Sequence, residues 1–225
     1  MNAEPYIFFA GIRIDEPVTT ITDLVVAGIC IYAFSQLIKN YRPSKERTFF
    51  CIFFLGLGIG TLLGGLLGHA FLYRLHPAWQ LPGWLLSMVA ISSLVLASLE
   101  IIRKFIHSRL VYLIALLNII VFLILGIMAT NAIDFIYVVI QIAFSLLGII
   151  FFLHLYGWFK SKDPGHLLFI AAVSTMIFTA LIFLMELNIN QWINHNSISH
   201  SLMALSALLF YQGARRFLIN PVNPS

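Results

Sequence analysis

Apolar residues fall into seven long runs, near 18–38, 49–73, 83–102, 110–129, 134–159, 167–187 and 198–217. Each is close to the ~20 residues that an α-helix needs to cross the hydrocarbon core of a bilayer. The polar interruptions between them are short, roughly 4 to 12 residues, and leave no room for a soluble domain on either side. The pattern predicts an all-α membrane protein in which residues 1–225 form a single seven-transmembrane helix bundle. There is no repeat between the two halves, which argues against the inverted-repeat plan of many secondary transporters.

Composition points the same way: 60% hydrophobic and 10% charged residues lie outside the range of soluble proteins. The net charge of +4 does not mark a nucleic-acid partner, because the basic residues form short clusters between apolar runs and not a basic face. Lys39, Arg42, Lys45 and Arg47 follow the first run; Arg103, Lys104 and Arg109 follow the third; Lys160 and Lys162 the fifth; Arg215 and Arg216 end the seventh. Only Arg13 and Arg74 fall on the other side, so the positive-inside rule puts the N-terminus outside and the C-terminus in the cytoplasm. The implied location is a bacterial inner (plasma) membrane. The stretch before the first run lacks a basic region and carries Glu4, Asp15 and Glu16, so the first helix is expected to serve as its own anchor. Trp79, Trp84, Trp158 and Trp192 sit near run ends, as an interfacial aromatic belt requires. Cys30 and Cys51 both lie in apolar runs and form no metal or redox motif.

Within the second run Gly56, Gly60, Gly64 and Gly68 recur at every fourth position. Such a face lets backbones approach closely where lipid supplies no hydrophobic drive. It serves either internal packing or a homo-oligomer contact.

Ionisable side chains inside a span cost about 2.5 to 3.5 kcal/mol each on insertion scales, so they are functional candidates. With alternating directions, Glu16 and Asp23 of the first helix, His69 of the second, Glu186 of the sixth, and His195, Asn196 and His200 of the seventh fall at the outer level of the membrane. Glu16, Thr19, Thr20 and Asp23 share one helix side, as do Asn196 and His200, with Ser197 beside them. Asp15, Glu16 and Pro17 also fit an ordinary helix start, but Asp23 lies two turns further in and needs a buried partner. His195 is out of step with His200 and reaches the site only from the loop preceding the helix, with Asn196 or Ser197 as its cap. Two or three imidazoles and a carboxylate match the ligand set of a catalytic zinc site, with Asp23 taking up a proton or orienting a ligand. A hydrogen-bonded polar network accounts for the same residues. Asn118, Gln141, His154, Ser174, Thr175 and Thr179 are scattered in depth and read as interhelical hydrogen-bonding groups.

Three stretches, EPVTTITDL from Glu16, GLLGHAFLY from Gly65 and INHNSISHSLMALSALLFYQGA from Ile193, resemble an uncharacterised prokaryotic family of seven-span membrane proteins. That family is distantly similar to the superfamily of alkaline ceramidases and progestin and adipoQ receptors. The resemblance implies a membrane metal hydrolase whose zinc is held by one histidine of the second helix and two of the last, which carries over to His69 and His200. The superfamily's serine four residues before the first of these is Gly65 here, and its last-helix pair reads Asn196 and His200. No aspartate stands near the start of the third span. The expected function is a zinc-dependent membrane hydrolase of a lipid amide or ester, with His69, His200 and His195 as ligands and Asp23 as acid/base. The alternatives are a receptor or sensor of a small apolar ligand, and a transporter that depends on Asp23. Bis-histidine haem between His69 and His200 is more remote, and no span holds a lysine for retinal.

Overall fold

A computed structural model describes residues 5–219. Among the described residues a hairpin, β1 Tyr6–Phe9 and β2 Ile12–Asp15, is followed by seven long helices. These are α1 Pro17–Asn40, α2 Lys45–Ala70, α3 Leu81–Ile102, α4 Ser108–Ala132, α5 Ile136–Ser161, α6 Pro164–Leu184 and α7 His195–Ile219. Six of them, α1 to α6, are long and apolar enough to cross a membrane. α7 is equally long at 25 residues, but Asn196, Ser197, Ser199, His200 and Ser201 crowd its first turns. The hydrophobic pattern did not mark the hairpin, whose alternation is too short to stand out beside the spans.

Helix ends are set by local chemistry. Ser44 Oγ accepts from Arg47 N at 3.2 Å to start α2, and Asp163 Oδ1 accepts from Gly165 N at 2.8 Å, with Pro164 in the first turn, to start α6. The Arg47 guanidinium closes α1 by donating to Leu37 O and Ile38 O at 3.0 and 3.1 Å. Two stretches are wound as π-helix, Gly64–Ala70 at the end of α2 and Phe144–Ile150 inside α5. Such widened turns often mark functional sites.

α1 packs between α2 and α7, α2 against α3, and α6 against α7, while α5 closes the circuit between α3 and α6. α4 lies outside, against α3 and α5, and turns Leu113, Leu116, Leu123 and Ile127 to the surroundings. An apolar exterior of this kind suits lipid and not water. The half of the bundle near the basic loops is filled by phenylalanines of α2, α6 and α7: Phe169 meets Phe50, Phe210 and Phe217 at ring separations of 6.0, 5.2 and 5.8 Å. In the same half a chain of polar groups crosses the core. His154 Nε2 lies 3.1 Å from Ser98 Oγ, and His154 Nδ1 lies 3.0 Å from His166 Nδ1. Ser98 donates to Leu94 O at 2.9 Å, so the hydroxyl accepts from His154 Nε2, and His166 donates to His154 Nδ1.

Part of the glycine face of α2, Gly56 and Gly60, is used within the chain, whereas a Cβ at Gly64 would meet nothing within 4 Å. A Cβ at Gly56 would meet Ala90 Cβ and Leu86 O at 3.3 Å, and one at Gly60 would meet Gly83 O at 3.0 Å, so α3 fills this side. A homo-oligomer through Gly56 and Gly60 would have to displace α3. Across the same seam a Cβ at Gly83 would fall 2.9 Å from Gly60 O and 3.2 Å from Gly64 N, both backbone atoms that no rotamer change can move. Gly83→Ala is therefore expected to part α2 from α3 and cost about 1–3 kcal/mol, read as a lowered Tm in detergent.

Candidate metal centre

The hairpin end of the bundle, opposite the basic loops, brings three chemically active side chains together. Asp23 sits two turns into α1 and is 2% exposed. His69 lies in the π-wound end of α2, where Phe71 N reaches back to Leu66 O at 3.0 Å and the extra residue in the turn rotates the imidazole relative to a regular helix. His200 stands in the second turn of α7. One ligand atom from each of the three lies within 4.8 Å of the others.

The contacts define which atoms face the centre. His200 Nδ1 is 3.2 Å from Asp23 Oδ1, His69 Nε2 is 3.8 Å from Asp23 Oδ2, and the two imidazole rings are 5.6 Å apart. Asp23 Oδ2 is buried with no hydrogen bond among the described residues, and His200 Nδ1, also buried, meets Asp23 Oδ1 as an ion-pair contact and not as an aligned hydrogen bond. A buried carboxylate oxygen left without a hydrogen bond is costly, and a cation held by the cluster satisfies it. The arrangement needs α1 and α2 close together: a Cβ at Gly65 would fall 2.8 Å from Asp23 Cβ. Thr20, one turn before Asp23, donates to Gly65 O at 3.4 Å across the same seam.

The far side of His69 is held by a second carboxylate. His69 Nδ1 lies 3.3 Å from Glu16 Oε2, the same oxygen that accepts from Asn194 Nδ2 at 3.2 Å and Asn196 Nδ2 at 3.3 Å. Glu16 adopts a left-handed backbone, φ 41°, at the start of α1, a conformation that side-chain-bearing residues rarely take and that aims its carboxylate at His69. Burial pushes the Glu16 carboxyl up, but the hydrogen bond and charge of His69 and the two asparagine amides outweigh it and bring it down to about 2.

Below the cluster opens a cavity of about 410 Å³ lined mainly by apolar side chains, with Asp23, His69, His200 and Asn196 at one end and Phe53 and Phe210 as its floor. Its size is within the ~300–1,000 Å³ of small-molecule sites. A row of rings crosses the rim: Trp84 to Phe135 at 5.2 Å, Phe135 to Phe183 at 5.7 Å, and Phe183 to His195 at 5.7 Å.

The other expected site residues have different places. His195 is the first residue of α7, its Nδ1 3.0 Å from Asn188 Oδ1 and its ring against Phe183, outside the group of three. Five residues of α-helix turn a side chain by about 140°, which carries His195 away from His200. Ser197 is buried and bonds back to Asn194, and it is Asn194 Oδ1, not Asn196 or Ser197, that caps the helix by accepting from Ser197 N at 3.0 Å. Glu186 is exposed past the end of α6. Asn194 was missed in the sequence, although an asparagine just ahead of an apolar helix is a cap signal. No curated protein and no solved structure matches the chain. Residues 18–219, which include Asp23, His69 and His200, match the model of a family of unknown function, DUF6962, and the chain belongs to that family.

Proposed function

We propose that the chain is a zinc-dependent integral membrane hydrolase of a lipid amide or ester. The observation that carries this reading is the meeting of Asp23, His69 and His200 at the polar end of an apolar cavity. Two imidazoles and a carboxylate are a donor set of catalytic zinc, three protein ligands with a position left open. His69 binds through Nε2, His200 through Nδ1, and Asp23 replaces His195 as third ligand. Bound zinc polarises a carbonyl and lowers the pKa of water towards neutrality. Glu16 orients His69, the carboxylate–histidine pairing that fixes a ligand's tautomer. The Asp23 oxygen not engaged in ligation accepts the proton released in the reaction, and the apolar cavity takes the acyl part of the substrate and keeps water from it. The resemblance of the Glu16, Gly65 and Ile193 stretches is to an uncharacterised seven-span family that is distantly similar to the ceramidase superfamily, and it supports this reading. In this reading α7 crosses with the other six helices, its polar turns facing the cavity, the N-terminus outside and the C-terminus in the cytoplasm. A fluorescent protein fused to the C-terminus is then expected to mature and glow, and an alkaline phosphatase fused there to stay inactive.

The test is elemental analysis of the detergent-purified protein, with about one zinc per chain expected, together with release of free fatty acid from lipid amides and esters that a zinc chelator abolishes. Metal content far below one per chain after growth in zinc would overturn the reading. It would favour a receptor of a small apolar ligand, for which the lining of the cavity speaks. Glu16→Ala is expected to keep the fold but weaken zinc binding about 10- to 100-fold, measured by competition with a chromogenic chelator.

A further inference from the structure

We propose that the β1/β2 hairpin is a membrane-surface element whose face of Ile7, Phe9, Ile12 and Ile14 lies at the boundary between headgroups and acyl chains of a lipid bilayer. The register pairs Tyr6 with Asp15, Ile7 with Ile14, Phe8 with Arg13 and Phe9 with Ile12. Paired residues share a face, so the ribbon has one face of Tyr6, Phe8, Arg13 and Asp15 and another that is wholly apolar. The turn between the strands has Ala10 and Gly11 at φ 50° and 78°, both in the left-handed region, as a tight two-residue hairpin requires.

The mixed face meets the protein through Arg13 and the buried Asp15, while its Phe8 and Tyr6 stay exposed. The Arg13 guanidinium lies 4.8 Å from the centre of the Tyr73 ring, and Tyr73 Oη donates to Arg13 O at 3.0 Å, which ties the hairpin to the segment just beyond His69. The apolar face is open at its turn end, Phe9 70% and Ile12 52% exposed, with Ile7 and Ile14 less so. Three features make lipid its occupant. β2 runs into α1 with only Glu16 between, and α1 shows Ile21, Leu24 and Val25 outward in its first turns, so the face adjoins a lipid-facing surface in sequence. The charges of the ribbon cancel, Arg13 Nε being 2.6 Å from Asp15 Oδ1, so contact with lipid strands no charge. The outer edges of a two-stranded ribbon keep unpaired backbone groups, which forbids the hydrocarbon core and stops the hairpin where headgroups and water satisfy them.

The inference is independent of the metal. Spin labels at Phe9→Cys, Ile12→Cys and Phe8→Cys, in full-length chains with Cys30→Ala and Cys51→Ala, are compared in phosphatidylcholine liposomes by power saturation. Labels at 9 and 12 are expected to be reached better by oxygen than by a water-soluble nickel chelate, and the label at 8 to show the reverse. Should the double replacement not fold, Cys51→Ala alone suffices, because Cys30 is 0% exposed and out of reach of the reagent. Equal nickel access at all three positions would mean a water-facing ribbon and overturn the proposal. Dipolar broadening confined to 9 and 12 would overturn it in favour of a second copy of the chain.

Discussion

His200→Ala is expected to strip the metal from the purified protein, and His195→Ala to leave it bound. The two histidines are five residues apart at the start of one helix, yet His200 Nδ1 is 3.2 Å from Asp23 Oδ1 while His195 is engaged with Asn188 and the Phe183 ring. Loss of a residue that merely orients a ligand weakens metal binding about 10- to 100-fold, so loss of a ligand is expected to cost about 100-fold or more. In a zinc titration after chelation, His200→Ala and His69→Ala then bind about 100-fold more weakly than the wild type or worse, and His195→Ala keeps the wild-type affinity and stoichiometry. Equal zinc in all three variants and the wild type would leave Asp23, His69 and His200 as a hydrogen-bonded network without a metal.

The second large effect is expected from a single methyl group. Gly65→Ala places a Cβ 2.8 Å from Asp23 Cβ and 3.4 Å from Thr20 O, so α1 and α2 must move apart at the level of the site. Overpacking of this kind costs about 1–3 kcal/mol, and here the displaced group is a proposed metal ligand. Zinc content is expected to fall with Tm. The neighbouring Gly64→Ala is the control: a Cβ there has no atom within 4 Å, so both quantities should stay near wild type.

Much of the candidate site was legible because depth in a membrane can be counted along a sequence. Asp23 lies two turns from the start of its apolar run, His69 near the end of the next, and His200 near the start of the last, so antiparallel helices bring them to one level. Spacing along α7 also showed His195 out of step with His200. It could not show whether His195 sits in a loop that swings inward, because that depends on Asn194 capping the helix ahead of the expected Asn196 or Ser197 and on the Phe183 ring being there to receive it. The pairing of Glu16 with His69 was hidden for a similar reason. A carboxylate at a helix start has an ordinary explanation, and only the left-handed backbone at Glu16 and the two asparagines from the far end of the chain turn it towards the imidazole.

That the molecule is a helical membrane-type bundle, and roughly where its helices begin and end, follows from hydropathy, because the cost of leaving backbone groups unpaired in lipid makes long apolar runs fold as helices whatever surrounds them. Tertiary structure alone decided which polar groups meet. The π-wound end of α2, the contact of Gly65 with Asp23 and the hairpin held by Tyr73 all depend on neighbours distant in the chain. No local rule contains that information, since a turn's winding and a side chain's bearing are settled by the helices packed against them.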